Sequence, residues 1–92
     1  MVKSVFEMVE IKIPTLRKGT VVELIESMDS LNEIGIRGII RGIHSRGSVI
    51  TYNVYFKDAK PIFHDCNGTI EDKHGYNISA NKLRKVIGVK TL

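Results

Sequence analysis

Residues 35 to 43 read Gly-Ile-Arg-Gly-Ile-Ile-Arg-Gly-Ile, which sets three glycines among β-branched side chains. Each glycine costs a helix about 1 kcal/mol relative to alanine, whereas isoleucine packs well on a pleated surface. The stretch is therefore expected to be a strand. Gly38 and Gly42 can mark bends or bulges where a small sheet curls toward closure. A bulge would also change which way Arg37 and Arg41 point, so the pattern leaves their face open.

The flanks decide the fold class. From Arg17 to Met28 two templates compete. As a helix, Thr20 would be the N-cap with Glu23 closing a capping box, and Val22, Ile25, Met28 and Leu31 would share one face. As a strand, Thr20, Val21 and Val22 supply β-branched residues, with Val22 and Leu24 pointing one way and Glu23 the other. The strand is favoured because Asp29, Ser30 and Asn32 make a polar, turn-prone segment before Gly35. Further on, Ser45, Arg46 and Gly47 read as a hairpin turn leading into residues 49 to 56, the strongest strand pattern in the chain. There Ile50, Tyr52, Val54 and Phe56 take one side, and Val49, Thr51, Asn53 and Tyr55 the other.

Residues 57 to 75 form a long loop, and loops above about 12 residues in compact domains are often functional. Tyr76 to Ser79 can return as a strand, Ala80 to Leu83 as one 3₁₀ turn, and Arg84 to Val89 as the closing strand. Residues 5 to 13 alternate apolar and charged side chains from Val9 onward until Pro14 ends them, which reads as an extra N-terminal strand and an edge open to homo-oligomerisation.

The 92 residues suffice for one domain, with a core expected at about 17–89 and an N-terminal extension over 1–14. A core of that size leaves little room for a deep reaction cavity. No apolar run approaches the roughly 18 residues of a membrane span, and the N-terminus lacks a signal-peptide layout. Cys66 stands alone and cannot make an internal disulfide. A cytoplasmic protein is expected. A net charge of +4 and a pI near 9.4 permit an anionic partner without requiring one.

The order of elements, with a long first loop, a central hairpin and a short turn before the last strand, resembles the wiring of SH3-like barrels. Two groups of motifs carry a sharper likeness. Lys18-Gly19-Thr20-Val21-Val22-Glu23-Leu24-Ile25, then Met28-Asp29 and Gly35-Ile36-Arg37-Gly38-Ile39-Ile40, resemble the opening of small SH3-like domains of unknown function found in phages and prophages. Tyr52-Asn53-Val54-Tyr55-Phe56, His64-Asp65-Cys66-Asn67-Gly68 and His74-Gly75-Tyr76 are similar to the second half of related short phage proteins. Together they span roughly residues 17 to 87. One departure is Gly35-Ile36, where such proteins often carry a second Gly-Thr. The fold class expected is all-β (mainly β): a small, partly open SH3-like barrel of about five strands with one short 3₁₀ turn and the extra N-terminal strand. The resemblance implies a small protein that acts by occupying or sequestering a host factor, in the host cytosol if phage-encoded.

Three constellations could carry chemistry. His64, Cys66 and His74, near Asp65 and Asp72, offer imidazole and thiolate ligands for zinc. No Cys-x-x-Cys or His-x₃-His pair accompanies them, and the simpler reading is that His64 and His74 hydrogen-bond loop backbone. No metal or cofactor is therefore expected, and a zinc-stabilised structural subunit is the weaker alternative. The same trio could form a Cys-His nucleophile pair, but no phosphate loop, Gly-x-Ser-x-Gly motif or paired catalytic carboxylates are visible, so no enzyme is expected. Arg37, Arg41, His44 and Arg46 cluster along the second strand and its turn, with Lys82, Arg84 and Lys85 near the C-terminal turn. Arginine forks grip phosphates bidentately, and Tyr52, Tyr55 or Tyr76 could stack a base or equally belong to the core. The candidate ligand-binding set is Arg37, Arg41, His44, Arg46, Tyr52, His64, His74 and Tyr76. The function expected is a non-catalytic binding module for a host protein or an anionic nucleotide, with a nucleic-acid-binding barrel as the alternative.

Overall fold

The computed structural model describes residues 16–28 and 30–88. They form five strands and one 3₁₀ turn: β1 (Val21–Leu24), β2 (Arg37–Arg46), β3 (Val49–Tyr55), β4 (Gly75–Ser79), the 3₁₀ turn Ala80–Lys82, and β5 (Leu83–Lys85). All pairings are antiparallel, and the sheet runs in the order β4-β3-β2-β1-β5. A four-strand meander thus continues through the 3₁₀ turn into a last strand that returns beside the first. That is the expected SH3-like wiring, and the protein is mainly β. The sheet stays open, because β4 and β5 lie at opposite edges and pair with each other nowhere. No helix among the described residues is long and apolar enough to cross a membrane.

The choice between helix and strand near Thr20 resolves as a strand. Val22 and Leu24 are fully buried, while Glu23 turns to the other face. Met28 and Leu31 cover the same core from the loop after β1, where the Met28 N–H donates to the Leu31 carbonyl at 2.7 Å. One face of the sheet carries the core: Val22, Leu24, Ile40, Tyr52, Val54 and Ile78 are all nearly inaccessible to solvent. Phe56 and Phe63 close it, with their rings stacked at 4.7 Å.

Several boundaries differ from the sequence reading, among them the start of β2 at Arg37 and the end of β3 at Tyr55. The hairpin turn is Gly47-Ser48, because Ser45 and Arg46 still pair with Ile50 and Val49. Gly47 takes φ 62°, the left-handed value that the first position of a tight two-residue hairpin turn demands and that a bulkier residue resists. β4 begins at Gly75, which pairs with Tyr55. The closing strand begins at Leu83 and is three residues long. Its pairing with β1 ends at Lys85↔Val22, and only the Val86 N–H, donated to the Val21 carbonyl at 2.9 Å, extends it. The expected strand at residues 5–13, and with it the proposed edge for homo-oligomerisation, lies outside the described residues.

One irregularity matters more than the boundaries. Ile40 pairs with Val54, but the next pair is Gly42 with Asn53, so Arg41 is the extra residue of a β-bulge. Before the bulge the odd-numbered residues of β2 face away from the core. After it the even-numbered ones do, since Ile43 pairs with Tyr52 and packs against the core. A bulge shifts the facing of everything beyond it by one residue.

Candidate site on the outer face of β2 and β3

The parity shift gathers side chains that an unbroken strand would separate. Arg37 and Arg41 lie on the outer face before the shift, and His44 and Arg46 lie on the same face after it. All four are exposed. In a regular strand His44 and Arg46 would have pointed to the core side with Ile40. The bulge is therefore the local feature that makes one basic row of β2.

Glycine permits the bulge. A Cβ on Gly42 would collide with the Asn53 Oδ1 atom, and one on Gly38 would come within 2.5 Å of Val54 Cγ1 and 2.6 Å of the Tyr55 carbonyl oxygen. Residues without side chains at these two positions let β2 lie close against β3. Asn53 uses the space above Gly42. It is only 2% exposed, on the face opposite the core. Its Nδ2 donates to Asn77 Oδ1 at 2.6 Å, and its Oδ1 accepts from His44 Nε2 at 2.8 Å, which places a proton on that nitrogen. A polar bridge thus crosses β2, β3 and β4, and no buried side-chain nitrogen or oxygen among the described residues lacks a partner.

Arg41 sits beside this bridge. Its guanidinium carbon lies 4.4 Å from the centre of the Tyr55 ring, and the Tyr55 ring stacks on the His74 imidazole at 5.5 Å and 14°. His74 is fixed in turn, because its Nδ1 donates to the Phe56 carbonyl at 2.8 Å. The Arg41 guanidinium also meets Glu71 at a loose 3.8 Å, with the arginine side chain 39% exposed. An exposed pair at that distance contributes little stability, whereas cation–π stacking removes much of the conformational freedom that an arginine loses on binding. The guanidinium is held over the ring and stays partly open to solvent.

The acids around the row are largely committed elsewhere. Glu23 lies opposite Arg37 in register, yet its Oε1 accepts from Arg84 Nε at 2.8 Å, and Arg84 also places a second guanidinium nitrogen 2.7 Å away. Glu33 pairs with Lys60, and Glu26 with Lys82. Among the described residues, Arg37 and Arg46 have no acidic partner.

The other candidate residues divide. Tyr52 is a correction: it is 1% exposed, belongs to the core, and its hydroxyl accepts the Leu16 N–H at 2.9 Å, so it presents no ring to a ligand. Tyr76 is half-buried on the core side against Phe63 and His64, away from the basic row. His64 Nδ1 accepts the Cys66 N–H at 2.9 Å, and its backbone bonds both ways with Gly75. His64 and His74 therefore both hold loop backbone, and only His74 joins the row, through Tyr55. Among the described residues, no three His, Cys, Asp or Glu side chains are placed to hold a metal ion, so the zinc reading of His64, Cys66 and His74 finds no converging ligands. Lys82 and Arg84 are engaged in the ion pairs named above and do not extend the row.

Cys66 is not an activated nucleophile. Burial pushes its thiol above the ordinary value of 9.0, the charge of Asp65 adds to this, and a hydrogen bond from Asn53 acts in the opposite direction. Its backbone takes φ 50° and that of Asn67 φ 60°, in a tight left-handed turn where the Gly68 and Ile70 N–H groups both donate to the Asp65 carbonyl. The turn places Cys66 and Ile70 against Gly75 on the outer face, where they make a small second apolar cluster.

Sequence reasoning left Asn53 and Asn77 without a role and chose Tyr52 and Tyr76 for the candidate set while leaving Tyr55 out. The alternation of residues 49 to 56 carries that signal, because it puts Asn53 and Tyr55 opposite Tyr52, Val54 and Phe56. Fold and site together define an open SH3-like sheet with a basic row on its outer face. No family model, no curated protein and no solved structure matches the chain.

Proposed function

We propose that this chain is a small non-catalytic binding module that takes an anionic, phosphate-bearing ligand on the outer face of β2 and β3. The observation that carries the reading is Arg41 seated over the Tyr55 ring, itself stacked on His74, which holds a guanidinium that stays partly open to solvent. An immobilised fork binds phosphate bidentately at less entropic cost than a free arginine. Glu71 is a weak, displaceable competitor at 3.8 Å. A binding role, rather than catalysis, accords with a buried cysteine whose thiol is pushed up and with a His64 Nδ1 already occupied. The resemblance to short phage and prophage proteins fits a module that holds its ligand, a nucleotide or a host factor, without converting it.

The test is fluorescence anisotropy with a labelled nucleotide, comparing the wild type with Arg41→Ala and Tyr55→Ala. Loss of a charge-assisted hydrogen-bonding group costs about 1.5–3 kcal/mol, so Arg41→Ala is expected to weaken binding about tenfold or more. Tyr55→Ala frees the arginine and is expected to weaken it less. Equal affinity of wild type and Arg41→Ala would remove the site.

A further inference from the structure

Four basic residues in a row are more than one mononucleotide can engage. β2 is ten residues long, and at about 3.3 Å per residue the distance from Arg37 to Arg46 approaches about 30 Å. Arg37, Arg41, His44 and Arg46 are distributed along that whole length on one face. A nucleoside phosphate at Arg41 would leave Arg37 and Arg46 unused, and neither has an acidic partner among the described residues.

We propose, on the basis of the anion site at Arg41, that the ligand is a single-stranded nucleic acid lying along β2, with its phosphates on the Arg37–Arg46 row and an unpaired base at the Arg41–Tyr55–His74 stack. A single strand combines the two features the face offers. Its backbone is an extended polyanion that meets cations set in a line, and its bases are free to stack on a guanidinium plane or an aromatic ring. A duplex keeps its bases inside, where a stack on a sheet face cannot reach them. The Asn53 bridge to His44 and Asn77 keeps the middle of the row in register with the stack, since it ties β2 to β3 and β4 next to the bulge.

Length, salt and strandedness separate a bound single strand from its competitors. Labelled oligothymidylates of about two, six and twelve nucleotides, their oligouridylate counterparts, ATP, and a twelve-base-pair duplex serve as probes. Affinity should rise at least about tenfold from the shortest to the longest single strand. Log affinity should fall linearly with log salt at about 0.7 per phosphate neutralised, and Arg37→Ala and Arg46→Ala should each lower that slope by about 0.7. Both variants should weaken the twelve-nucleotide strand more than they weaken ATP, because they sit at the ends of the row, and both should keep the unfolding midpoint of the wild type.

The inference fails, while the anion site stands, if ATP and the twelve-nucleotide strand bind equally, if the end variants leave the salt slope unchanged, or if the duplex binds as well as the single strand. If neither ATP nor any oligonucleotide binds, the anion site itself is refuted. Whichever of the thymidine and uridine series binds more tightly tells DNA from RNA, and a length dependence in either supports the inference.

Discussion

The two faces of β3 use the same backbone for opposite purposes. On one face Tyr52 and Val54, with Phe56 just beyond the strand, are sealed in an apolar core whose packing needs only shape and hydrophobicity. On the other face Asn53 is as deeply buried as its neighbours but is held by hydrogen bonds to His44 and Asn77, and Tyr55 carries an arginine and an imidazole on its ring. The first face accounts for stability. The second spends polar groups and a bulge on aligning charged side chains, which a core would not require.

That contrast predicts a graded set of effects. Ile78→Ala on the core face should cost about 3 kcal/mol in urea unfolding, since a fully buried isoleucine leaves a cavity. A loss below about 1 kcal/mol would mean that this face is not the core. Gly42→Ala should cost about 2 kcal/mol, because the new methyl must displace Asn53 from its bonds to His44 and Asn77. The Asn53 side-chain amide resonances should shift with it. The same variant should also weaken anion binding more than its stability loss explains, whereas Ile78→Ala should not. Tyr55→Ala, which removes the cation–π contact of an exposed arginine, should cost about 0.5–1 kcal/mol beyond the lost ring burial.

Cys66 gives a smaller, pH-dependent effect. Its thiol titrates higher in the folded chain than in the unfolded one, so the fold favours the protonated form. Its contribution is complete below the ordinary value of 9.0 and declines as the pH rises above it, because the unfolded thiol then loses its proton first. The stability difference between wild type and Cys66→Ala should therefore shrink as the pH is raised from about 8 to about 10. A difference that grows would contradict the burial of the thiol. Arg84→Ala should change stability by less than about 1 kcal/mol, because Arg84 is the exposed partner of a mostly covered Glu23. Its informative readout is Arg37, which gains Glu23 as a competitor and should then contribute less to anion binding.

The core face was legible because a period of two needs no tertiary knowledge: Val22 with Leu24, and Tyr52 with Val54 and Phe56, can be assigned by alternation alone. The strand at Val21–Leu24 was legible from the polar turn segment after it, where a last helical turn would not fit. The outer face was legible in composition and illegible in geometry. Arg37, Arg41, His44 and Arg46 stand out as basic residues, yet whether they share a face depends on one unpaired residue in β2. The glycines at 38 and 42 signal that a bulge can occur and do not say at which residue. The link from Tyr55 to His74 spans 18 residues of loop and rests on a bond to the Phe56 carbonyl that no local pattern encodes. The hairpin turn was misplaced by about one residue because Ser45 and Arg46 have turn-like composition, whereas the pairing is set by Gly47 alone.

The facing of the basic row depends on the bulge at Arg41, and cross-strand nuclear Overhauser contacts in an isotope-labelled sample read it directly. Contacts joining Ile43 to Tyr52 and His44 to Thr51, with Arg41 lacking a partner opposite, are the predicted result. Contacts joining Gly42 to Tyr52 and Ile43 to Thr51 would mean an unbroken ladder, with His44 and Arg46 turned to the core side and no single basic row on the outer face.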